Sequence, residues 1–271
     1  AEGRVVHPVN PVFGGVAYIP DKQLIDGLSE ELRHWQACWP DLRQQFLQLS
    51  NYPEASPVIG NPLATGLQEA FSLNGESLDY GEEQVDSSEY AQLLGERSRA
   101  DSHAKDSNGQ AGPFLTGALA RATLVAGRKL RFDMPAETFG IHGNNLAQAS
   151  EIGWTLLRIG QLLETLRQAD RSEPLRAALK QANGGIGTAA TEAPRGLLIH
   201  HYVVDEWGKV VAADIVTPTA INQRVMAAQI MADLANEKDH ERLCKVAERI
   251  VRAYDPCISC AVHLLRVDKS S

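Results

Sequence analysis

The sequence predicts a mainly α fold with small β elements, an α+β arrangement whose core is helical. Three observations carry this expectation. Apolar residues recur every three or four positions over long stretches, and β-rich runs are confined to a few short segments. In addition, 44% of the 271 residues are hydrophobic, enough to bury a sizeable core and too many for a disordered chain. The whole chain, residues 1–271, is expected to fold as a single domain.

The opening VVHPVNPVFGGVAYIP reads as loop and short strand, because each proline removes a ladder donor. From Lys22 the pattern changes: Leu24, Leu28, Leu32, Trp35 and Trp39 recur at helical spacing, and Leu42, Phe46 and Leu49 continue it beyond Pro40. A kinked or broken amphipathic helix is predicted there. Residues 51–112 carry dense turn chemistry and read as an irregular surface excursion with a small strand pair around Phe71 to Tyr80. Asn144 or Asn145 is placed to cap a helix running to about Arg167. Its stripe of Leu146, Ala149, Gly153, Leu156, Gly160 and Leu163 contains small residues that let a neighbouring helix approach closely. The Gly-rich NGGIGTAATEAPRG resembles neither a Walker loop nor GxGxxG. Next, LLIHHYVV and KVVAADIV bracket Asp205-Glu206-Trp207-Gly208, a hairpin pattern. A helix from about Ile221 to Ala235 follows. Asp239 then caps a last helix, on which Leu243, Val246, Ala247, Ile250, Val251 and Tyr254 form one face.

Charge and hydropathy narrow the function classes. The formal net charge is -8, with 26 Lys+Arg against 34 Asp+Glu, so there is no basic face to neutralise a phosphate backbone and no nucleic-acid partner is expected. Charged residues interrupt every apolar run before it reaches the ~20 residues that span a bilayer. AEGRVVHP also lacks the charged-then-apolar plan of a signal peptide, and the expectation is a cytoplasmic protein without a membrane span.

Four cysteines are present, Cys38, Cys244, Cys257 and Cys260, and the last two form a CxxC. In a reducing compartment that spacing reads as metal or redox chemistry before it reads as a disulfide. Asp255 followed by Pro256 reads as an N-cap and first helical position, which puts Cys257 in the first turn of a short helix and Cys260 one turn on. Unpaired amides and the positive dipole end favour thiolates there. A closed zinc site would want four ligands, and Cys38 and Cys244 stand alone. A thioredoxin-like dithiol would lie near the start of a βαβ unit. Two packed thiols without metal are the remaining reading. His200 and His201 are adjacent on a strand, face opposite sides and cannot chelate together.

The segment RAYDPCISCAVH resembles the C-terminal DPCxxCxxH motif of nickel-iron hydrogenase large subunits, most closely the cytoplasmic, pyridine-nucleotide-linked sulfhydrogenase type. Other segments resemble the family in its own order. Arg4, His7 and Gly14-Gly15-Val16 look like its GR-x-x-H...GG motif, NNLAQASEI like the start of a core helix, TEAPRG like an arginine-bearing active-site loop, and ADIVTPTAIN like the segment that contacts the iron's diatomic ligands. The resemblance implies the helical large-subunit core and a Ni-Fe(CN)2(CO) centre. Cys257 would be a terminal nickel ligand and Cys260 a nickel-iron bridge, roles suited to soft thiolates. Arg195 would reach over the metals, with a salt bridge to Glu192 or a surface carboxylate as the plainer alternative. Pro218 and Thr219 would present a backbone group and a hydroxyl to a cyanide, Asp255 would hydrogen-bond near the cluster, and His263 with the Ile215 carbonyl would hold Mg2+.

The same family holds its metals with two CxxC pairs, and this sequence contains one. The resemblance therefore implies the C-terminal portion of a large subunit. The other CxxC would come from an N-terminal part or another chain, electrons would leave through an iron-sulfur small subunit, and NAD(P)-reducing flavin subunits would complete the assembly. The alternative is a hydrogenase-like scaffold subunit of an electron-transfer complex that has lost the metal site. The resemblance also implies proteolytic removal of Leu264 to Ser271 after His263.

Overall fold

Helices form where the sequence lays down an apolar stripe. The structure, a computed structural model, describes residues 9–49, 57–66, 74–97, 105–107, 112–127, 140–178 and 183–257. In chain order, β1 (Pro11–Val12) and β2 (Gly15–Val16) precede α1 (Lys22–Leu49). Then come β3 (Asn61–Thr65), β4 (Asn74–Gly75), β5 (Ser77–Tyr80), β6 (Glu83–Asp86), α2 (Tyr90–Leu93), β7 (Glu96–Arg97), β8 (Asp106–Ser107), β9 (Phe114–Leu115) and α3 (Ala118–Gly127). The second half runs α4 (Gly143–Gln168), β10 (Gly185–Ala193), β11 (Gly196–Val204), β12 (Val210–Val216), α5 (Pro218–Leu234) and α6 (His240–Tyr254). The helical fold class holds, and the small β elements gather into two four-stranded and two two-stranded sheets among the described residues.

The chain forms two compact units, divided within α4. The first comprises residues 1–50 and 149–183. Here α1 passes through Pro40 unbroken, although an internal proline removes one helical hydrogen bond and crowds the preceding turn. The small-residue stripe of α4 does what its composition predicts. A methyl at Gly153 would overlap the Trp39 indole, whereas one at Gly160 would meet Gln36 and Leu32 side chains at 3.4 Å. Gln36 donates to the Leu156 carbonyl at 2.9 Å across the same seam. The Gly14-Gly15 pair closes the β1–β2 hairpin, whose backbone bonds Leu175 and Ala177.

The second unit comprises residues 51–148 and 184–271. Its larger antiparallel sheet has the order β12-β11-β10-β4, and its other four-stranded sheet the order β6-β5-β3-β9, in which only β3 and β9 run parallel. Leu63, Leu78, Leu94, Phe114, Leu197, Ile199, Val216 and Ile221 fill the core against these sheets. A helical core of Leu119, Ile141, Val225, Ile250 and Tyr254 lies under α3, α5 and α6.

Several expectations change here. The excursion over residues 51–112 builds a sheet with buried Leu63 and Leu78. Its strand pair is Ser77–Tyr80 with Glu83–Asp86, while Phe71 lies outside the described residues. The Gly-rich cluster is mostly strand β10, because pairing with β11 over nine residues satisfies a backbone that glycine alone would leave free. Asn144 does not cap α4. It lies inside that helix, where its Oδ1 accepts from Leu119 N–H and its Nδ2 donates to the Ala253 carbonyl. It thus satisfies a group left over at the start of α3 and another near the end of α6.

One buried charge pair joins three elements. Arg121 of α3 donates to Glu192 of β10, both side chains almost fully buried, and the second Glu192 oxygen accepts from Thr65 N–H of β3 at 2.8 Å. Removing one member of such a pair strands the other charge in low dielectric. Glu192→Gln is therefore expected to lower unfolding free energy by about 3 kcal/mol. Glu192→Gln with Arg121→Met should recover most of that loss in urea titrations. In the first unit, Gly153→Ala is expected to lose about 1–3 kcal/mol to overpacking. Gly160→Ala should be neutral or slightly stabilising, since alanine favours helix by about 1 kcal/mol over glycine.

Candidate metal centre

Two segments that the sequence keeps sixty residues apart meet at one cleft. It is lined by Arg195, Thr219, Asn222, Met226, Tyr254, Asp255 and Pro256. Arg195 reaches it because β10 and β11 pair to Ala193 and Gly196, leaving Pro194 and Arg195 as a two-residue hairpin tip. Proline at the first turn position and glycine after the second suit so tight a reversal.

Asp255 arrives by a different route from the one read in the sequence. It closes α6 as a left-handed cap, with φ 49° and ψ 56°, and its N–H donates to the Arg252 carbonyl at 3.1 Å. It therefore ends a helix, and its carboxylate is turned to other partners. One oxygen lies 3.6 Å from Arg195 Nε and the other accepts from Gln148 Nε2 at 3.1 Å. Asp is among the few non-glycine residues that tolerate the left-handed region. The ion-pair alternative for Arg195 is thus met by Asp255, because Glu192 is committed to Arg121.

Pro218 and Thr219 open α5 three residues earlier than the periodicity placed it, with Thr217 as N-cap accepting from Ala220 N–H. Proline needs no donor in the first turn. Thr219 Oγ1 accepts from Cys257 N–H at 3.3 Å, which fixes the start of the CxxC beside the helix N-terminus. A hydroxyl used as acceptor keeps its own hydrogen for donation. Cys257 is exposed. Cys260 and His263 lie outside the described residues, as do Arg4 and His7. Ile215 sits in β12 opposite His200. His200 and His201 part as expected, one bonded to Tyr202 and the other to Thr188.

Sequence reasoning missed Gln148, Tyr254 and Met226. Gln148 sits in a helix pattern with nothing to mark it, and Tyr254 looked like one more core position. Its ring is buried, yet its hydroxyl has no hydrogen-bond partner among the described residues. Burial, then the nearby Asp233 charge, pushes its pKa above the usual phenol value.

Among the described residues no group of three or more His, Cys, Asp or Glu could hold a metal ion. What they do offer is a guanidinium, a hydroxyl free to donate and a buried phenol around one cleft, with one exposed thiol next along the chain. That donor set fits the rim of a thiolate-held centre carrying hydrogen-bond acceptors, with the remaining thiolates supplied from elsewhere.

Comparison with known proteins gives the family. A family model described as nickel-dependent hydrogenase matches residues 131–263. Sulfhydrogenase 1 subunit alpha of Pyrococcus furiosus is 32% identical over 278 residues, covering 97% of this chain and 64% of that subunit. Sulfhydrogenase 2 subunit alpha of the same organism is 30% identical over 287 residues, covering 98% and 64%. The chain thus spans just under two thirds of the length of these relatives. A solved NAD+-reducing [NiFe]-hydrogenase in the H2-reduced state superposes with TM-score 0.71 at 23% identity, over 92% of this chain and 62% of that one.

The Arg195 and Asp255 side chains are 41% and 38% exposed, so water screens their attraction and the pair contributes about 1 kcal/mol or less to stability. Arg195→Ala is accordingly expected to leave the urea midpoint nearly unchanged. A loss above about 3 kcal/mol would identify the residue as a structural one.

Proposed function

Because this chain belongs to the nickel-dependent hydrogenase family, we propose that it is the C-terminal portion of a hydrogenase catalytic subunit, interconverting H2 with protons and electrons. The observation that carries the reading is the meeting of Arg195, Thr219 and Asp255 at the start of the DPCxxCxxH motif. Cys257 and Cys260 would hold the Ni-Fe centre with its cyanide and carbonyl ligands, together with two thiolates from the CxxC of an N-terminal part or another chain. When bound, that centre supplies heterolytic H2 cleavage and the redox change.

The residues of this chain set the surroundings. Asp255, itself held by Gln148, orients the Arg195 guanidinium over the cleft, where a rigid fork of N–H donors stabilises negative charge. Thr219 offers its hydroxyl hydrogen and the backbone N–H of an early helical position, a donor that has no intrahelical acceptor. Both suit a cyanide nitrogen. Pro218 adds no competing donor. His263 and the Ile215 carbonyl would bind Mg2+. Electrons would pass to an iron-sulfur small subunit and NAD(P)-linked flavin subunits, in the cytoplasm.

Metal analysis and infrared spectroscopy of the chain with its partners test this. Nickel together with cyanide and carbonyl bands is expected, and Cys260→Ser should abolish nickel retention, since a hydroxyl is a far poorer ligand than a thiolate for the metals of such a centre. Absence of nickel and of those bands in the wild-type assembly would favour the scaffold reading.

A further inference from the structure

Helix α5 serves both walls of the cleft. Thr219 accepts from Cys257 N–H, and three residues on Asn222, only 5% exposed, holds a different segment. The Asn222 amide clasps both backbone groups of one residue: Oδ1 accepts from Thr116 N–H at 2.9 Å and Nδ2 donates to the Thr116 carbonyl at 3.0 Å. Thr116 in turn passes the constraint on, its Oγ1 accepting from Leu197 N–H at 2.8 Å. Leu197 follows Gly196 at the hairpin tip.

The tip has no slack against this segment. Gly196 adopts φ 129°, and a methyl there would lie 2.8 Å from Gly117 N, Thr116 Cγ2 and Thr116 Oγ1. A methyl on Gly117, at φ 116°, would come within 3.2 Å of the Arg195 carbonyl. Glycine at both places lets the two backbones touch. Thr116, Leu197 and Asn222 are all buried, so water cannot replace any of these bonds and each acts at low dielectric.

We propose that Asn222 is a positioning residue for the Arg195 guanidinium. It fixes Thr116, Thr116 fixes Leu197 and with it the hairpin tip, and the tip delivers Arg195 to Asp255. One helix therefore indexes Arg195 through Asn222 and the cysteine segment through Thr219, so that the two walls keep a common register. The inference rests on the hydrogenase reading of Arg195, and its central test does not.

The test uses the full chain and four variants. Thr116→Val keeps the side-chain shape and the clasped backbone but removes the acceptor for Leu197, and Thr116→Ser restores it. Asn222→Ala removes the clasp, while Asn222→Asp keeps the acceptor and loses the donor. Hydrogen exchange of the Leu197 amide and modification of Arg195 by phenylglyoxal are read by peptide mass spectrometry. Loss of a buried hydrogen bond predicts a ~3- to 10-fold rise in both rates for Thr116→Val and both Asn222 variants. Thr116→Ser should stay within about twofold of wild type by the same reasoning. If Asn222→Ala does not fold, Asn222→Asp decides. An Arg195 modification rate unchanged in Thr116→Val and Asn222→Asp would overturn the proposal, even with faster Leu197 exchange. In the assembled complex Thr116→Val and both Asn222 variants should lower kcat for H2 with little change in KM while Thr116→Ser stays near wild type, and a wild-type complex without turnover would fail the hydrogenase reading alone.

Discussion

The buried Arg121–Glu192 pair is the constraint on which the second unit depends. A carboxylate and a guanidinium placed out of water are tolerated only when their geometry satisfies both, and here the remaining carboxylate oxygen also takes a backbone N–H from β3. Helix α3, strand β10 and strand β3 are thereby held at fixed separations. Glu192 lies two residues before the turn, so the pair sets the root of the hairpin that carries Arg195. A mobile root could not present a guanidinium to a fixed partner.

The other wall of the cleft is set by helix ends. An α-helix leaves N–H groups unpaired at its start and carbonyls at its end, and Asn144 answers one of each, on α3 and on α6. The end of α6 is thus pinned before the chain turns. The left-handed conformation of Asp255 then reverses the backbone and sends Pro256 and Cys257 toward α5, where Thr219 receives the Cys257 amide. The aspartate of the motif is at once the helix stop and the partner of Arg195, which explains why a short polar side chain able to adopt positive φ stands there.

In the first unit, space rather than charge decides the packing. Gly153 lets the Trp39 indole lie against the α4 backbone, and the Gln36 bond to the Leu156 carbonyl adds a polar contact at the same seam. Helix α1 keeps its course through Pro40, and the turns before the proline, with Leu32, Gln36 and Trp39, are the ones that meet α4.

The sequence by itself determined the helices whose apolar period is long, the hairpin around Asp205 to Gly208, the cap at Asp239, and the membership that DPCxxCxxH announces. Those are local patterns, set by side-chain period, cap chemistry and a contiguous motif. Only the tertiary structure decided that Asn144 bridges two helix ends, that Glu192 belongs to Arg121 and so leaves Arg195 to Asp255, that Gln148 supports that aspartate, and that Asn222 grips Thr116. These partners are separated by 25 to 109 residues. Each polar side chain could satisfy itself with many partners or with water, and burial, which depends on how the whole unit closes, selects one.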